Sequence, residues 1–290
     1  MDWAKAKNIS IIAFILLNIM LVFLRYVDSR RFTLSPESQI AIINVLDSNN
    51  ITLSDSFRFP TYYPERQISL LNINFNQNNM TNIFMINNEN IRVTSDYTSN
   101  IFQNNYERVT FSGNRIVYEN LGNTQLTILN ENDARSFSTN IIRSLGDMGR
   151  GFVLDQKIVE ENSLILQYRQ IYRNNILFSN YMIFTFQNNN IGKIEFSYSN
   201  FNGFIGSARE LSSADEILIT FMRQIRRIYP EEIPVQVQKM DLVHKKIESN
   251  PLSNIEFVGV PFYRIHYTIS EGENQRIDVI LINAYSNTLK

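Results

Sequence analysis

The chain has 290 residues, with 27 Lys and Arg against 28 Asp and Glu for a net charge of -1, and no cysteine. A near-neutral chain without a basic tract is no general nucleic-acid binder, whose affinity would come from neutralising phosphates. The missing cysteines exclude disulfides, thiolate zinc sites and cysteine nucleophiles together, which suits a bacterial extracytoplasmic protein folding without oxidative help. Hydrophobic residues at 44% and aromatics at 12% rule out disorder, while the abundant asparagine predicts strongly polar loops.

The first element is the apolar run from Ile9 to Leu24, bracketed by Trp3 and Tyr26 as interfacial anchors, with Lys5, Lys7 and Arg25 placed to snorkel outward. Trp3 to Tyr26 as a helix spans about 35 Å, enough to cross a bilayer. A cleaved signal peptide would also open on lysines and an apolar core; here Arg25 intervenes before Val27-Asp28-Ser29, and the core exceeds the usual length. Charge does not orient the span, because Lys5 and Lys7 with the terminal amine balance Arg25, Arg30 and Arg31. At heptad spacing Asn8, Ile11, Ile15, Asn18, Val22 and Arg25 form one stripe, a seam expected to face a partner helix, with the Asn18 amide seeking a hydrogen bond there.

Ser35-Pro36-Glu37 carries helix-start chemistry, and Ile40, Ile43 and Leu46 supply an apolar face up to Asn49-Asn50. Strands are expected over Ile51 to Phe59, Ile68 to Phe75 and Ile91 to Thr94, with Pro60 and Pro64 in a loop. Asn76 to Asn90 has no assignable pattern. Tyr106 to Ser112 and Arg115 to Asn120 form a hairpin around Gly113-Asn114. A second helix presents Ala134, Phe137, Ile141, Ile142 and Leu145 and stops at Gly146.

Four meandering strands follow, Phe152 to Val159, Leu164 to Tyr172, Ile176 to Phe186 and Ile191 to Tyr198. A third helix opens on Ser213 with Glu216 at capping-box spacing and runs through Ile217, Leu218, Phe221, Met222, Ile225 and Ile228 to Pro230. Val235 to Val243, Phe262 to Ile269 and Arg276 to Asn283 close the chain as strands. The order of one helix followed by a meander recurs. This predicts an α+β fold: an N-terminal transmembrane helix followed by repeated modules of one helix packed on an antiparallel β-meander.

No catalytic, metal or cofactor constellation is legible. His244 and His266 lack ligand-spaced neighbours and read as core or solvated histidines. Gly146, Gly149 and Gly151 follow a helix and precede a strand, the reverse of a phosphate loop, and read as a cap and turn. The acid pairs Glu160-Glu161, Asp215-Glu216 and Glu231-Glu232 sit at a strand end, a first helical turn and a post-helix loop, each with an ordinary structural role. Arg223, Arg226 and Arg227 complement the dipole of the third helix; they read as a solvated face, with a candidate patch for an anionic wall polymer or an acidic partner surface as the alternative.

Both ends of the chain carry a resemblance. Met1-Asp2-Trp3, then Lys5-Ala6-Lys7 and an apolar run, resembles the opening of the YycI family, also called WalI; Pro261-Phe262-Tyr263-Arg264-Ile265 followed by Ile282-Asn283-Ala284-Tyr285 is similar to the ending shared by YycI and its relative YycH. Where relatives tend to have tryptophan in the late aromatic pair, this chain has Phe262-Tyr263. The resemblance implies a single-pass cell-membrane protein with a cytoplasmic amino terminus, acting with a YycH/WalH-like protein on the sensor histidine kinase YycG/WalK that controls cell-wall metabolism. The expected layout is a cytoplasmic tail at 1–8, a transmembrane helix at 9–25, a linker and first extracytoplasmic α+β domain at 26–131, and a second at 132–290 of two helix-plus-meander modules. An anchored binding module for wall polymer or peptide, and an anchored hydrolase, are the alternatives.

Overall fold

A computed structural model of the chain describes residues 3–122, 128, 130–247, 256–271 and 274–289. Helix α1 (Trp3–Arg31) is 29 residues long, about 43 Å at 1.5 Å per residue. Its window Lys7–Leu24 has a mean hydropathy of 2.2 and no part of it is buried. Length and composition therefore suffice for a bilayer span. No Gly or Pro interrupts the run from Arg25 onward, so the helix outlasts the apolar stretch and ends where the Thr33 hydroxyl donates to the Arg30 carbonyl at 3.1 Å.

The fold class is α+β, an antiparallel-dominated sheet with few helices, and the chain forms two compact units. They do not divide at 131/132. One comprises Met1–Glu65, Ala208–Asp241 and Phe262–Lys290, the other Arg66–Ser207 and Leu242–Pro261. Strands β12 (Val235–Ile247) and β13 (Glu256–Glu271) each start in one unit and finish in the other. A boundary read along the chain cannot register such a return.

In the first unit, α2 (Pro36–Asp47) is capped by Ser35, whose hydroxyl accepts from the Ser38 amide at 3.2 Å. Its buried face is Ile42 and Leu46, rotated from the expected one, with Ile40 61% exposed. Strand β1 is only Ile51–Leu53, pairing in parallel with Val235 to Val237 of β12 before the chain turns at Ser54 to Phe57. Helix α5 (Ala214–Ile228) carries the expected capping box, Ser213 with Glu216. It buries Ile217, Leu218, Phe221 and Ile225, with the Phe221 ring edge-on to Tyr267 at 5.3 Å. Strand β14 (Asn274–Asn283) pairs antiparallel with β13 from Phe262 to Glu271.

The second unit begins with β2 (Glu65–Leu71) and α3 (Gln77–Phe84), the segment without sequence pattern. Asn76 caps α3 by accepting from the Asn79 amide at 3.2 Å, and Met80, Thr81 and Phe84 are its buried face. Two asparagine-rich turns with weak helix propensity need the core beneath them to be helical.

Strands β3 (Arg92–Ser95), β4 (Asn100–Gln103), β5 (Glu107–Ser112) and β6 (Arg115–Asn120) form consecutive antiparallel pairs, with the predicted hairpin between β5 and β6. Helix α4 (Glu131–Ser144) is followed by a 3-10 turn, Gly146–Gly149. Strands β7 (Phe152–Glu160), β8 (Ser163–Tyr172), β9 (Asn175–Gln187) and β10 (Asn190–Ser197) form the expected meander, and β10 also pairs with β6. Strand β11 (Asn200–Arg209) is an additional strand to those expected from the sequence, with Gly203 and Gly206 at φ 146° and 68° inside it. Phe184, Phe186, Ile194 and Phe196 of the sheet pack with Phe84 of α3 and Ile142 of α4 in one core.

Gly149 is where that packing leaves no room. A Cβ added there would collide with the Ile142 carbonyl, so the turn after α4 can close only on glycine. Gly149→Ala is expected to destabilise this unit by about 1–3 kcal/mol through forced backbone movement, read as a lower midpoint in denaturant.

Candidate interaction surfaces

The residues of the α1 stripe are exposed where they are described, as is the whole window Lys7–Leu24. Ile11, Ile15 and Val22 are 48%, 51% and 70% exposed, and Asn8 and Asn18 are exposed beside them; the Arg25 side chain lies outside the described part. The Asn18 Nδ2 donates to the Phe14 carbonyl at 2.8 Å, so the amide closes first on its own preceding turn. That bond uses one of its two N–H hydrogens, and an amide in hydrocarbon still gains from a neighbouring helix.

The α1 end is fastened to folded protein. Leu34 is buried, the Tyr62 amide donates to the Phe32 carbonyl at 2.9 Å, and the Phe32 ring lies 5.3 Å from Tyr63 and 6.3 Å from Tyr62. Arg31 pairs with Glu210 at 3.1 Å. Three residues, Thr33 to Ser35, separate α1's neighbour Phe32 from α2, so no slack linker joins α1 to the rest of its unit.

The arginine patch is not three free cations. Arg223 and Arg227 are exposed, but Arg226 is half-buried and donates to the carbonyls of Asn49, Asn50, Pro230 and Ile233 at 2.9, 3.1, 2.7 and 3.1 Å. Its guanidinium fork satisfies carbonyls around the ends of α2 and α5 and so acts as a strut. A charge count along one helix could not reveal those acceptors, which lie up to 177 residues away.

Glu131, Glu160 and Glu161 border a cleft of about 540 Å³ with Asn162, Asn188 and a Phe186 wall. Glu131 accepts from Arg135 at 2.7 Å and Lys157 at 3.0 Å, and Lys157, then Arg135, hold its carboxyl below the usual glutamate range. Glu160 accepts from the Ser163 hydroxyl at 2.8 Å. Asp215 and Glu216 serve the Ser213 cap, and the Glu231 and Glu232 carbonyls accept from Asn50. Among the described residues no three His, Asp or Glu side chains are placed to hold a metal.

His244 is a core histidine, 1% exposed, with Nε2–H directed at the Arg66 carbonyl 3.1 Å away; burial pushes its pKa down and that bond offsets part of the shift. His266 is half-buried on β13. Gly146, at φ 60°, ends α4, and Gly149 closes the 3-10 turn, as the cap-and-turn reading requires.

The C-terminal motif lies in the core. Phe262, Tyr263 and Ile265 are fully buried and Arg264 is 1% exposed, so β13 is covered on both faces. Arg264 donates from Nε and Nη2 to the two carboxylate oxygens of Asp241 at 2.8 Å each, and Lys239 reaches the same carboxylate at 2.7 Å. Burial would raise the Asp241 carboxyl, but the Arg264 hydrogen bonds and charge, with Lys239, outweigh it and hold the pKa below the ordinary aspartate value. Tyr263 donates to the Ser212 carbonyl at 3.0 Å, Tyr285 to that of Glu65 at 2.9 Å, and Arg209 stacks 4.4 Å from the Tyr285 ring. Asn283 accepts from the Tyr285 and Ser286 amides at 2.9 and 3.1 Å to make the final turn. The motif thus specifies packing; Met1 and Asp2, its counterpart at the other end, lie outside the described residues.

No family model matches the chain, and no curated protein matches its sequence. Among solved structures the chain is similar to an uncharacterized protein from Eubacterium rectale ATCC 33656, with a TM-score of 0.57 and 11% identity over 87% of this chain and 98% of that one. This is a likeness of fold. The Bacillus megaterium YpeB C-terminal domain aligns with a TM-score of 0.41 and 10% identity, covering 73% of this chain and 92% of that domain.

Proposed function

We propose that this protein is a non-enzymatic, single-pass regulator of a cell-wall-controlling sensor histidine kinase of the YycG/WalK type, acting with a YycH-like partner through transmembrane and extracytoplasmic contacts. The carrying observation is α1: a helix whose apolar window Lys7–Leu24 has no buried part and which enters a folded α+β unit without a slack linker. A tether would need only the first property. Direct fastening means that a helix packed against α1 also biases the attached unit, which is how a contact regulator favours one of two kinase states. The cytoplasmic amino terminus and the identity of the kinase rest on the YycI resemblance of Trp3, Lys5, Lys7 and the Pro261 to Ile265 segment.

Pulldown of the full chain from membranes is expected to recover a histidine kinase, and removal of residues 1–31 to lose it. Asn18→Leu should weaken that recovery by roughly threefold, about 0.6 kcal/mol, because one amide hydrogen is already used inside α1. Wild-type recovery with Asn18→Leu and with a foreign apolar helix would reduce α1 to a tether.

The second reading, an anchored module for wall polymer or peptide, draws on the cleft with its carboxylates, amides and Phe186 wall. Retention of the chain on purified wall material, abolished by Glu160→Gln with Glu161→Gln, would favour it over the kinase.

A further inference from the structure

We infer that the surface around the end of α1 is a second bilayer contact: Tyr63, Phe32, Arg30 and Arg31 seat against the lipid headgroup layer. The inference rests on the anchor reading of α1. The apolar window ends at Leu24 and the helix at Arg31, about 10 Å further along the axis. A headgroup layer is roughly 5–8 Å thick on each side of the hydrocarbon, and helix side chains lean toward the helix N-terminus. Arg30 and Arg31, both exposed, therefore lean back toward phosphodiester depth.

The aromatic part is built from two chain segments locked together. Phe32 follows the helix, and its carbonyl accepts from the Tyr62 amide at 2.9 Å, which brings the 61–63 segment to the same level. Tyr63 is 43% exposed with its ring 5.3 Å from Phe32, while the Arg31 guanidinium lies 5.5 Å from the centre of the Phe32 ring. A single exposed tyrosine on a soluble surface needs no explanation. This one sits beside a second aromatic ring and two arginines about 12 Å past the end of the apolar window, a level from which side chains of this length reach back into the headgroup layer, where amphipathic rings and guanidinium groups are both favoured. The Arg31–Glu210 pair, with side chains 67% and 75% exposed, is well solvated, so it leaves Arg31 able to meet a phosphodiester. Two attachments at one edge fix how the unit stands on the membrane, which a single helix would leave free to swivel.

The test uses the full chain with its one tryptophan removed, Trp3→Phe, and a reporter introduced as Tyr63→Trp, in phosphatidylcholine and phosphatidylglycerol vesicles. A nitroxide on the lipid headgroup is expected to quench the reporter roughly twofold, and a nitroxide near the bilayer centre to do little. Thr61→Trp on the same exposed segment provides a second reporter, and Arg30→Gln with Arg31→Gln should about halve the quenching. Unquenched reporters in protein that resists an alkaline wash would overturn the headgroup contact and leave the anchor standing. Release of the protein by that wash would overturn both. Quenching indifferent to the two arginine changes would overturn the part assigned to the guanidinium groups.

Discussion

Replacing Arg264 by methionine is expected to destabilise the first unit by about 3 kcal/mol, the low end for breaking a buried pair, because the Asp241 side chain keeps 16% exposure and Lys239 remains beside it. The loss comes from stranding a carboxylate in the core more than from the attraction forgone. Asp241→Leu combined with Arg264→Met should therefore recover much of it, since two apolar side chains of similar volume demand no solvation. The pH dependence distinguishes the two variants. The folded pKa of Asp241 is depressed, so the pair's contribution is fully present above the unfolded aspartate value near 3.9 and is lost as pH falls through the lower folded value. In Arg264→Met burial acts with only Lys239 to oppose it, the folded pKa rises, and the deficit should shrink on acidification. Denaturant midpoints measured from about pH 7 to pH 4 check this; a deficit that grows toward acid would contradict the role given to the pair.

Glu107→Ala should cost the second unit at least about 3 kcal/mol. The carboxylate is fully buried and accepts from the Ile86 amide at 3.1 Å, the Asn87 amide at 2.8 Å and the Tyr118 hydroxyl at 2.9 Å. Removing one acceptor group leaves three donors desolvated, each costing about 1–3 kcal/mol when unpaired. Glu107→Gln should be nearly as harmful, because its amide turns N–H groups toward N–H groups. Tyr118→Phe, which removes a donor and leaves the backbone bonds, should cost only about 1.5–3 kcal/mol. The Ile86 and Asn87 amides report the change directly: hydrogen exchange there should accelerate in both Glu107 variants and stay slow in Tyr118→Phe.

Both effects arise from charges inside β-strands. Arg264 stands in an apolar sequence, Phe262 to Ile265, that alone marks an unusual residue for a core strand. Its partner lies 23 residues earlier in another strand. The three donors to Glu107 come from a loop about 20 residues before it and a strand 11 residues after it. The candidate surfaces divide in the same way. The α1 stripe follows from heptad spacing, whereas Arg226 becomes a strut through the Asn49 carbonyl 177 residues away.

Elements whose signal repeats within a few residues were legible: the apolar run of α1, the Ser35 and Ser213 caps, the hairpin at Gly113-Asn114 and the β7 to β10 meander. Each depends on side chains three or four apart on a helix, or alternate ones on a strand, so local order suffices. Tertiary structure decided the rest. It made α3 helical over its core, paired β1 in parallel with β12 across 184 residues of chain at Ile51 and Val235, and sent β12 and β13 through both units. Those outcomes depend on which strands become neighbours once their apolar faces are buried. An alternating strand states which of its faces goes inward but not whose edge it will meet, and a buried charge acquires its partner only when that edge is chosen.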